Sequence, residues 1–156
     1  MDATARLYDV DEDSVVFRKL DKTEKYDQGS ITFHARGGHL IDLDQLHESL
    51  WATRLSGGTR SGLISLEVTA VGRLTVGPNQ TELEVSDSDT RFILQPDTDA
   101  EHAGVWAELR ERAANRQVKL TGRIDGYSGY WPDVLRQVPT KPRRILVTQY
   151  ELLESP

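Results

Sequence analysis

At 156 residues, with 37% apolar residues and a mean hydropathy of -0.52, the chain is long enough to bury a core of its own as one domain with an extension. It holds no cysteine, which excludes disulfides, thiolate zinc sites, iron–sulfur clusters and cysteine nucleophiles by counting alone. The net charge of -6 gives no general attraction to nucleic acid or anionic membrane, but residues 105 to 150 carry nine basic and four acidic side chains, so a local basic region can still take an anionic ligand.

Residues 1 to 29 read as an acidic N-terminal segment. Asp9, Asp11, Glu12 and Asp13 suit an exposed terminus, Val15, Val16 and Phe17 a short strand, and residues 21 to 28 a solvated loop. No apolar run here resembles an export signal, and nowhere does one approach the roughly 18 residues of a membrane-spanning helix, so a soluble chain is expected. Compartment and oligomeric state stay open.

Residues 30 to 62 form a strand and helix extension. Ile31, Phe33 and Ala35 alternate with Thr32, His34 and Arg36 until Gly37 and Gly38 end the strand. Asp42 with Gln45 three residues later is a capping arrangement, and Leu43, Leu46, Leu50 and Trp51 follow at helical spacing until Ser56, Gly57 and Gly58.

The longest signal starts next. Ile64, Leu66, Val68, Ala70, Gly72, Leu74 and Val76 alternate with a mostly polar set, a period that fits a half-buried strand and no helix. Gly72 suggests a bulge or sharp bend that lets this one strand serve two sheets. The turn Gly77, Pro78, Asn79 leads into Thr81 to Val85, with Leu83 and Val85 on one face. The Ser86 to Asp89 turn then leads into Arg91 to Leu94, with Phe92 and Leu94 inward. Thr98 and Glu101 predict a capped helix carrying Val105, Trp106, Leu109 and Ala113. Val118, Leu120, Gly122 and Ile124 predict a further strand, and after a loop from Asp125 to Arg143 a last strand runs from about Arg144 to Leu152.

Three meandering strands, a helix and two more strands make a mainly β fold whose layout resembles the OB-fold, a five-stranded barrel, over residues 63–153. With the extension this gives two helices, packed as one domain. The resemblance is one of element order only, since no sequence motif marks that fold. An α+β alternative remains: residues 30 to 124 also parse as a ferredoxin-like sandwich, whose opening half resembles heavy-metal-associated domains without their paired cysteines.

The OB-fold resemblance implies a ligand surface on strands 2 and 3 and under the loops joining strands 1 to 2 and 4 to 5. The second of those loops sets Tyr127, Tyr130 and Trp131 among glycines, with Arg136, Lys141, Arg143 and Arg144 behind them. Aromatic faces stack on bases or sugar rings and cations hold phosphates, so these seven residues form the candidate ligand site. The same aromatics can instead plug one end of the barrel. Glu82, Glu84, Asp87 and Asp89 would repel a phosphate backbone on strands 2 and 3.

His34, His39 and His47 are the candidate metal ligands, for zinc or copper, although the spacing matches no metal motif; otherwise no cofactor is expected. His102 has no partner evident along the chain. Neither a G-x-S-x-G nor a G-K-[ST] phosphate loop is present. The expectation is a non-enzymatic binding or assembly module with no membrane role, contacting an oligosaccharide, single-stranded nucleic acid or a protein partner. A purely structural domain is the alternative.

Overall fold

The computed structural model describes residues 10–19, 29–36, 65–125 and 143–154, together with 40, 42, 45, 46, 49 and 52. The chain divides into two units, residues 1–61 and 62–156.

In the first unit, strand β1 (Val10–Lys19) pairs antiparallel with β2 (Gly29–Ala35). β1 is longer than the short strand expected at residues 15 to 17, because the acidic residues Asp11, Glu12 and Asp13 are taken into it. The register shifts between Asp11 and Val16. Ser14 fills that irregularity: its hydroxyl donates to the Asp11 carbonyl at 2.6 Å and accepts the His34 N–H at 2.7 Å. Further on, the Gln45 N–H donates to Asp42 Oδ1 at 3.1 Å, which is the helix cap read from the sequence, and Leu46 is buried.

The second unit is a closed five-stranded barrel. Its strands are β3 (Glu67–Val76), β4 (Thr81–Val85), β5 (Arg91–Pro96), β6 (Gln117–Ile124) and β7 (Arg144–Leu152), in the order β3-β4-β5-β7-β6. Helix α1 (Ala103–Arg112), preceded by a 3₁₀ turn at Ala100–His102, lies between β5 and β6. Every pairing is antiparallel except that of β5 with β7. This is an OB-fold-like barrel with its helix in the expected place. The ferredoxin-like alternative fails, since β2 pairs with β1 and the final strand is a stave of the barrel.

Alternation explains why each strand forms and which way it faces. Ala70, Leu74, Leu83, Val85, Phe92, Leu94, Val118, Leu120, Ile124, Ile145 and Val147 are all buried, while their immediate neighbours on each strand are exposed or half-buried. Leu109 of α1 and Ala113 just after it are also fully buried, and the helix lies against β5 and β7. On the outer side of that contact the Glu108 carboxylate pairs with Arg112 and reaches Tyr150 of β7. Burial and the carboxylate together push the Tyr150 phenol above its ordinary pKa. Turns follow the residues that favour them: Asp87 and Asn115 take left-handed φ values of 58° and 61°.

Gly72 is where β3 changes partners. Residues 67 to 73 pair with β6 and residues 72 to 76 with β4, so Gly72 faces both Val118 and Val85. Neither ladder shifts register there, so the glycine does not mark a bulge. It allows close approach: a Cβ would stand 2.8 Å from the Glu84 carbonyl carbon and nearer still to its oxygen. Gly72→Ala is therefore expected to destabilise the barrel by about 1–3 kcal/mol or more, read as a lower midpoint in urea unfolding.

Candidate functional site

Two polar constellations meet around the end of β5. The first is a cleft of about 460 Å³ on the outside of the barrel. Its floor is the run Ile93 to Pro96, and one wall is the turn between β3 and β4, closed by the Gly77 N–H on the Gln80 carbonyl at 2.8 Å. The other wall is Trp106 and Arg110, one helical turn apart on α1, with Arg144 at the start of β7. The Arg110 guanidinium carbon lies 5.8 Å from the centre of the Trp106 ring, within cation–π range. Arg144 is exposed and pairs with the Asp125 carboxylate at 3.8 Å. Asn79, Gln80 and Gln95 supply amides, that of Gln80 donating to the Glu82 carboxylate, and among the described residues no carboxylate lines the cleft itself.

The second constellation starts the helix. Asp97 directly follows β5, and its side chain is fully buried. Its Oδ1 accepts the Asp99 N–H at 3.2 Å and Arg123 Nη2 at 2.6 Å, and the same guanidinium nitrogen reaches Asp99 Oδ2 at 3.3 Å. The Asp99 carbonyl accepts the His102 N–H at 3.0 Å. Asp97 thus organises the entry to α1, where the sequence points to Thr98 and Glu101; neither Asp99 nor His102 caps the helix with its side chain. His102, for which the sequence offers no partner, sets Nδ1 at 3.4 Å from Asp97 Oδ2. Those two atoms are buried and make no hydrogen bond among the described residues. Burial raises the Asp97 pKa, but the Asp99 amide, the Arg123 guanidinium and His102 together outweigh it and hold the carboxyl below its ordinary value.

Of the candidate ligand residues, Tyr127, Tyr130, Trp131, Arg136 and Lys141 lie outside the described residues. Arg143 is buried, with its carbonyl accepting the Ile93 N–H at 2.8 Å, and Arg144 lines the cleft. His34 is exposed on β2, while His39 and His47 lie outside the described residues. Trp106, Arg110, Asp97 and Arg123 were not marked by sequence reasoning. Their one local signal is P-D-T-D at residues 96–99, an Asx-turn composition at the mouth of a helix.

No protein-family model matches the chain, and neither a curated protein nor a solved structure is significantly similar to it. No helix among the described residues is long and apolar enough to cross a membrane.

Asp97→Asn removes the charge that Arg123 faces and should cost about 1–3 kcal/mol at pH 7. A carboxyl with a lowered folded-state pKa contributes stability above its unfolded value of about 3.9, and that contribution is lost as pH falls through the folded value. The unfolding free energies of the native protein and the variant should therefore converge as pH drops from 7 to below about 3, measured by denaturant titration at each pH.

Proposed function

We propose that this chain is a non-enzymatic binding module whose barrel holds a nucleotide unit of a single strand in the cleft beside Trp106. One observation carries this reading: in a chain of net charge -6, the cleft is lined, among the described residues, by two arginines and an aromatic ring and by no carboxylate. A flat ring stacks on a base, guanidiniums answer a phosphate, and the amides of Asn79 and Gln95 suit the polar edge of a base or sugar. The location agrees with the surface that OB-folds use, beside the turn joining the first two strands and where the loop of residues 125 to 143 rejoins the barrel. That loop brings Tyr127, Tyr130 and Trp131 into the same proposal as further stacking residues. Of the acidic side chains that argue against phosphate, Glu84 lies 3.5 Å from Arg91, and Glu82 stands behind the cleft wall, where its carboxylate accepts from the Gln80 amide.

A second reading, a protein-interaction domain, is favoured by the first unit. Phe17 and Ile31 are cross-strand partners on the β1–β2 hairpin and both are exposed, Phe17 at 56%. Exposed apolar pairs of this kind suit a protein contact.

Fluorescence anisotropy of a labelled oligothymidylate in low salt separates the two. Saturable binding is expected, weakened about 5- to 150-fold by Trp106→Ala. Arg144→Gln should reduce the salt slope of log K by about 0.7. Trp131→Ala should weaken binding without unfolding the chain. An oligonucleotide that does not bind at low salt overturns the nucleotide reading, and binding of a neutral oligosaccharide in its place would move the ligand class to sugars.

A further inference from the structure

The geometry points to a zinc ion held by Asp97, Asp99 and His102 at the entrance to α1. One ligand atom from each of the three side chains lies within 4.8 Å of the others. Acidic side chains gather at helix starts for ordinary reasons, so the cluster alone says little. The unusual feature is the fully buried Asp97 carboxylate, of which one oxygen is saturated and the other is not. Oδ1 takes the Asp99 N–H and Arg123, whereas Oδ2 makes no hydrogen bond and faces His102 Nδ1, which makes none either.

The separation of those two atoms is informative. At 3.4 Å it is longer than the roughly 2.7–3.2 Å of a hydrogen bond to nitrogen. Two ligands of one tetrahedral zinc, each about 2.0–2.1 Å from the metal, stand about 3.3–3.4 Å apart. Among the described residues neither atom is hydrogen-bonded, which is costly in the protein interior, and an ion between them would satisfy both. Asp99 is half exposed and can turn its carboxylate to complete a set of three, with water in the fourth position.

Arg123 acts on this site in two ways. Its bond to Oδ1 fixes the Asp97 carboxylate so that Oδ2 points at the ion, the kind of outer contact that orients metal ligands. Its charge also opposes the cation, as does the positive end of α1, so two carboxylates and an imidazole face a partly compensated field and zinc binds reversibly. Nitrogen and oxygen ligands without sulfur, at this spacing, favour zinc over the larger, oxygen-seeking calcium.

The test uses the full chain, freed of metal with a chelator and titrated with zinc chloride while the histidine imidazole resonances are followed by NMR. The His102 signals should shift and saturate at one ion per chain. His102→Gln and Asp99→Asn should each lower zinc affinity by about tenfold or more. Both are outside the core, so their far-ultraviolet circular dichroism should match that of the native protein; Asp97 itself is left intact because it also starts the helix. Cobalt in place of zinc should give the visible bands of a tetrahedral nitrogen and oxygen site, lost in His102→Gln. His102 signals that stay unmoved in excess zinc overturn the proposal, even if His34, His39 or His47 respond. So does an affinity for zinc that neither variant changes. Oligonucleotide binding at the Trp106 cleft does not depend on the outcome.

Discussion

The second unit depends on one strand having two neighbours at once. β3 gives its first half to β6 and its second half to β4, and at Gly72 and Arg73 it is paired on both sides. A flat sheet cannot close, so the strand that begins it must turn far enough for the last strands to return to its free edge. Gly72 permits that by letting the β4 backbone occupy the place of a side chain. Gly122 on β6 is crowded in a similar way, with the Ile145 side chain and the Leu146 backbone where its Cβ would be. The two glycines stand on neighbouring staves near the points where β3 changes partners and where the β6–β7 register shifts.

Closure sets where the functional groups fall. Because the barrel brings the end of β5 beside the start of β7, Arg144 joins Trp106 and Arg110 although 34 residues separate it from Arg110. The same strand end leads directly into Asp97, so the buried carboxylate is held by the sheet rather than by the helix it starts. Arg123, near the end of β6, completes the group from across the barrel. The Trp106 cleft and the Asp97 cluster thus lie on successive segments of the chain, with Pro96 of the cleft adjoining Asp97 in sequence.

Much of the barrel was legible because its signal is local. Period-2 alternation marked β4, β6 and β7 nearly to the residue, since each strand buries one face and exposes the other. It located β3 as well, though the pattern began at Ile64 and the ladder at Glu67. The N-terminal hairpin was less legible. Its carboxylates argue for solvent, and their side chains do remain exposed, but Asp11 pairs with His34 and the strand resumes its pairing at Val16. The site was the least legible part. Capping boxes are read from spacing, and T-x-x-E outranks an aspartate whose turn before the helix forms where a sheet holds it. His102 was visible as a lone histidine, and its meaning depends on a carboxylate five residues earlier whose orientation no local pattern encodes. Arg144 was legible as a candidate ligand residue, whereas Arg110 looked like solvated charge until the fold set it over the Trp106 ring in the same cleft.

The barrel has one parallel seam. Where β5 meets β7, residue 93 pairs with residue 144 across about fifty intervening positions, including α1, β6 and the loop that precedes β7. Parallel pairs are slightly weaker per residue than antiparallel ones, and contacts this distant form after the local meander has paid its chain entropy. The β3–β6 ladder is as distant in sequence but antiparallel, so the seam alone joins non-locality to parallel pairing. Arg144 sits on it, so a ligand bound in the cleft would act as a clasp between the two staves.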